Sequence, residues 1–220
     1  MIDENNRSKL GYASLGMAFL LAQVIGLVIL LIALAIGLAS QSGALLGIVA
    51  AFGLLLGIGL ALVGTIGKVL CLIAPSSTVG KLFISLSLVG DFLPIVVALK
   101  VLPLGDSASL VSGIPVLLLL LYLATLSTLI GRVDIRRTAI SALICILIGE
   151  VAMGVGPKLT QSDAITIPAA VIAFCVGLYG FLLYIRTLTT LRQGIAEYQT
   201  ADESDLFPPE PDSDAQPKTE

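Results

Sequence analysis

Residues 10–67 contain no charged side chain. No feature of the chain constrains its fold more. A transmembrane helix uses about 20 residues. The run between Lys9 and Lys68 therefore holds two such helices and a turn, and "ASQSG" at 39–43 supplies the turn. The chain as a whole is 57% hydrophobic and 12% charged. Soluble domains carry about 25% charged residues. Lipid, not water, is the solvent this composition fits.

The same reading gives six apolar segments: about 12–38, 44–66, 82–104, 114–131, 138–156 and 164–185. The first is too long for the apolar region of a cleaved signal peptide, which runs about 7–15 residues. "GKVLCLIAPSSTVGK" (67–81), "GDSASLVSG" (105–113), "RVDIRR" (132–137) and "PKLTQSD" (157–163) separate the later segments. With the N-terminus inside, the inner side carries Arg7, Lys9, Lys68, Lys81, Arg132, Arg136, Arg137, Arg186, Arg192 and Lys218. The outer side carries Lys100 and Lys158. Cytoplasmic loops hold the excess of Lys and Arg. The expectation is an all-α integral membrane protein, a bundle of six transmembrane helices over 12–186. Both termini are then cytoplasmic, in a plasma or bacterial inner membrane. Lys68 and Lys100, near segment ends, are expected to reach out to the headgroups.

Residues 1–11 form a short cytoplasmic tail. In 187–199, Leu188, Leu191, Ile195 and Tyr198 recur at three and four. That spacing predicts a juxtamembrane amphipathic helix, leaving the membrane or lying on its surface. Residues 200–220 are rich in Pro and acid and too polar to bury a core. They are expected to form a disordered acidic tail, able to dock a basic partner.

Composition excludes several chemistries. There is no histidine, so the commonest general base and metal ligand is missing. Haem and zinc are not expected, nor any other cofactor. Cys71, Cys145 and Cys175 lie in apolar surroundings without a CxxC spacing and read as small hydrophobes. No Gly-rich phosphate loop or Ser-x-x-Lys is present, so an enzyme is not expected. The cytoplasmic charges are few and scattered, which excludes nucleic acid as a partner.

Polar residues inside the apolar segments are the candidates for function. Asp91 in "LVGDFLP" costs about 2.5–3.5 kcal/mol near a helix centre. Such residues face the bundle interior or a water-filled cavity. Pro94 lacks an N–H, so it leaves the Gly90 carbonyl without its helical donor and kinks the helix. Ser87 lies one turn before Asp91. Broken helices with loose carbonyls build cation sites in transporters. At about 1.5 Å per residue, Glu150, Tyr122 and Gln23 reach a similar depth on three other helices. No Lys or Arg is expected at that level. An Asp91–Glu150 site sharing a proton or small cation is the leading functional expectation. On that reading Asp91→Asn is tolerated for folding, because an amide keeps the hydrogen bonds.

The competing reading is a non-catalytic membrane scaffold or assembly partner, in which these groups only fix helix register. The second segment supports it. Gly43, Gly47, Ala50, Leu54, Gly57, Ala61 and Gly64 recur at four and three, and Gly53-x-x-x-Gly57 overlaps them. Small residues let helices approach closely in lipid. Besides the bilayer, the expected partner is a second copy of the chain or another membrane protein. Polar residues gathered around one cavity favour transport; separate contacts favour the scaffold.

Overall fold

The computed structural model describes residues 4–39, 43–92, 96, 113–159 and 163–200. Six helices lie among them: α1 (Glu4–Ala39), α2 (Gly43–Ile73), α3 (Thr78–Gly90), α4 (Ile114–Leu129), α5 (Val133–Leu159) and α6 (Asp163–Thr200). The regular structure among the described residues is all helical. Three stretches are long and apolar enough to cross a membrane: Lys9–Gly37, Ala51–Ile73 and Val171–Gln199. The 13 residues of α3 and the 16 of α4 rise about 20 and 24 Å, short of a hydrocarbon core of about 30 Å. Pro94, Lys100 and about half of the segment expected over 82–104 lie outside the described residues, as does the acidic tail.

Local chemistry sets the helix boundaries. Pro75 follows α2 and Ser77 caps α3, its Oγ accepting the Gly80 N–H at 3.1 Å. Helix α3 stops at Gly90. Its last N–H bonds run from Asp91 to Ser87 O and Leu88 O, and Phe92 then donates to Val89 O. Pro115 sits in the first turn of α4, where its missing N–H costs nothing. Gly131, at φ 73°, ends α4. The Arg132 N–H reaches Ser127 O and the Gly131 N–H reaches Thr128 O, the two bonds of a Schellman turn.

The packing order closes on itself. α2 lies along α1, α1 touches α6, α6 lies along α5, and α5 leads through α4 to α3; the α2–α3 seam is much the slightest. The core is not spread evenly along the helices. Leu10, Met17, Cys71, Ile84, Leu123 and Leu188 are fully buried or nearly so. Beyond them, Ile29, Leu31, Phe52, Leu55, Ile148, Ile172 and Phe174 are largely exposed. One end of the bundle is thus packed on itself, while the other leaves its apolar side chains exposed.

One expectation changes here and another is narrowed. The second helix does not stop near 66; it runs to Ile73, because "VLCLI" after Lys68 continues the apolar pattern. For 187–199 the structure takes the first of the two expected courses and not the second: they continue α6 without a break at Arg186. Leu188, Leu191 and Ile195 are fully buried in the same core as Leu10 and Met17. The amphipathic stripe finds its apolar partner in α1 and α5, not in the headgroups. Arg132 holds this extension from the α4–α5 turn, Nη1 lying 2.9 Å from Glu197 Oε2 and Nε 3.4 Å from Asp134 Oδ1. Glu197 first, then Asp134, hold its guanidinium above the ordinary arginine value.

Candidate functional site

The α2–α3 seam carries the charged centre. Lys68 Nζ lies 2.6 Å from Asp91 Oδ1 and 2.7 Å from Oδ2. It also donates to the Ser87 carbonyl at 3.4 Å. The Lys68 side chain is 7% exposed and that of Asp91 31%. This corrects two expectations. A cation does lie at the level of Asp91, and Lys68 does not reach out to the headgroups. The extra apolar turn after Lys68 puts the lysine inside a helix instead of at its end. The lysine was the functional residue that reading by segments missed. Its signal was present: five apolar residues follow it before Ala74-Pro75.

Around this pair the polar groups are satisfied locally. Ser87, fully buried, donates to the Pro115 carbonyl at 2.6 Å. Gly90 gives the α4 N-terminus room, since a Cβ there would lie 2.8 Å from the Pro115 ring. Tyr122, fully buried in α4, donates to the Cys71 carbonyl at 2.7 Å. Thr125 turns back to its own helix, donating to Tyr122 O. Replacing Tyr122 with phenylalanine is expected to cost about 0.5–1.5 kcal/mol. The loss stays modest because the Ala74 N–H still donates to Cys71 O. A thermal melt in detergent measures it.

The other two expected members lie elsewhere. Glu150 of α5 packs against Gly113, the residue before α4. Among the described residues it has no hydrogen-bond or ion-pair partner. Gln23 of α1 fills the space left by Gly64 of α2. Asp91, Glu150, Tyr122 and Gln23 therefore sit in four separate contacts. Gly90 and Gly113 both border the α4 N-terminus, but no contact joins Asp91 to Glu150 among the described residues.

The small residues of α2 divide in a similar way. Gly64 meets Gln23, and Gly53 meets Leu30. Gly47 and Gly57 have open space where a Cβ would stand, and Ala61 is exposed. The closest approach of α1 and α2 is at a pair outside the expected stripe. A Cβ on Gly16 would lie 2.6 Å from Gly67 O, and one on Gly67 would lie 2.8 Å from Gly16 O. Cys71 is buried, Cys145 half-buried and Cys175 exposed. Among the described residues no cluster of three or more His, Cys, Asp or Glu could hold a metal ion. No protein-family model matches the chain, and comparison with curated proteins and with solved structures gives no match.

Proposed function

We propose that this chain is a non-enzymatic, multi-pass membrane scaffold that assembles through the outer face of α2. The observation that carries this reading is the separation of its intramembrane polar groups. Asp91, Tyr122, Glu150 and Gln23 each have their own contact, and no contact among the described residues joins them. Polar groups used in this way fix helix register. The uncovered face of α2, with Gly47, Gly57 and Ala61, suits close approach by a helix of a second copy. Single-molecule photobleaching in bilayers tests it. Dimers are expected at high protein density. Gly57→Leu, which meets nothing within its own chain, is expected to weaken association about tenfold or more. A wild-type chain that stays monomeric at the highest density would sink the reading.

A second reading has one observation in its favour. Lys68–Asp91 lies at the slightest seam between successive members of the helix ring, where α3 ends. An incoming proton or small cation that displaces Lys68 from Asp91 would open that seam. Flux in proteoliposomes across a panel of cations distinguishes the two. Coupled flux abolished by Asp91→Asn supports this second reading, and no flux for any cation removes it.

The topology belongs to the same proposal: six spans, both termini cytoplasmic, in a plasma or bacterial inner membrane. The division of Lys and Arg supports it, nine to two once the buried Lys68 is set aside. Reporter fusions after Ser42, Ser109 and Lys158 are expected outside. Those after Pro75, Val133 and Thr200 are expected inside. A reversed sign at any of the six means a different helix count.

A further inference from the structure

Helices α5 and α6 approach so closely at Gly149 that a Cβ there would lie 3.0 Å from the Gly177 Cα. Next to this crossing is a cavity of about 500 Å³. Its wall includes Phe174 and Phe181 of α6, with Glu150 and Gly113 on the opposite elements. Ligand sites usually measure about 300–1,000 Å³, are mostly apolar and carry a few polar groups that orient the ligand. This cavity has that composition. Glu150 is the single ionisable side chain among its lining residues. It is half-buried, and no described residue neutralises it or donates to it.

We infer that this cavity is a binding site for an organic cation with an apolar body, held by the Glu150 carboxylate. Charge complementarity selects the ligand class. A lone carboxylate in an apolar wall is poorly solvated and gains most from a cation placed beside it. Phenyl rings add cation–π attraction, which strengthens as water is excluded. A lipid acyl chain would fill the volume but leave the carboxylate unanswered. The site is independent of the α2 assembly face and of Lys68–Asp91.

Equilibrium dialysis with the full chain in lipid nanodiscs, against radiolabelled tetraphenylphosphonium, tests the inference. Saturable binding above empty discs is expected. Glu150→Gln should weaken it about tenfold or more, as loss of a coulombic attraction in a weakly screened site predicts. Gly177→Leu should abolish it. Gly177 lines the cavity and a Cβ there meets nothing within 4 Å, so the added side chain has room to enter the ligand's space. The variant's fold is checked by size exclusion and helical circular dichroism. Triphenylmethanol, neutral and of similar bulk, should compete poorly. Absence of saturable binding, binding unchanged in Glu150→Gln, or equal competition by triphenylmethanol would overturn the inference. The last result would point to an apolar lipid site instead.

Discussion

Asp91→Asn is expected to destabilise the folded chain by roughly 3–5 kcal/mol, the range for removing one partner of a buried ion pair. The cost arises at Lys68, not at Asp91. The Lys68 side chain is 7% exposed, so its ammonium cannot recover its hydration in place. Its remaining acceptor at the seam is the Ser87 carbonyl at 3.4 Å. Lys68→Met should cost less, because Asp91 is 31% exposed and its carboxylate can turn towards water. Together, Lys68→Met and Asp91→Asn should cost clearly less than their sum, since the pair strands no charge. Unfolding in mixed micelles, followed by circular dichroism on all four proteins, gives the coupling. Additive single effects would mean that the 2.6 Å contact contributes nothing to the seam.

The membrane character and the helices themselves were legible because they rest on composition and on turn residues. The charge-free run and the turn residues act locally: the start of α2 and both ends of α4 fall within two residues of the expected bounds, whereas α2 runs seven residues past its expected end. What escaped the sequence was which faces meet. Depth counted along separate helices placed Asp91 level with Glu150, but that count assumes straight, parallel rods. Helix α3 ends at Gly90, and the N-terminus of α4 takes up the space beside it. Asp91 turns to α2 and Glu150 to Gly113. A one-dimensional count also treated Lys68 as the end of a segment, so the one cation able to answer Asp91 was assigned to the headgroups. The expected tolerance of Asp91→Asn followed from that assignment and is reversed with it. The α2 glycines show the same limit. Spacing picks out one small-residue stripe, but nothing in the spacing says which of its members α1 covers.

That last distinction yields the second large effect. Gly16→Ala is expected to cost about 1–3 kcal/mol, the range for forcing extra volume into a packed contact, and Gly16→Leu more. The added Cβ would lie 2.6 Å from Gly67 O and 2.8 Å from Cys71 Sγ. The first of these is backbone, which cannot rotate away. Helix α2 must move off α1, carrying Lys68 and Cys71 with it. The ion pair to Asp91 and the Tyr122 hydrogen bond to Cys71 O should then loosen together. Gly57→Ala is the matched control: the same change, in the same lipid, at a glycine with open space beside it. It should fall within about 0.5 kcal/mol of wild type, or gain slightly from helix propensity. Combining Gly16→Ala with Asp91→Asn should cost less than the sum, because the first has already weakened what the second removes. Equal effects at Gly16 and Gly57 would mean that α1 and α2 do not cross at Gly16–Gly67. The placement of Lys68 against Asp91 would fall with that crossing.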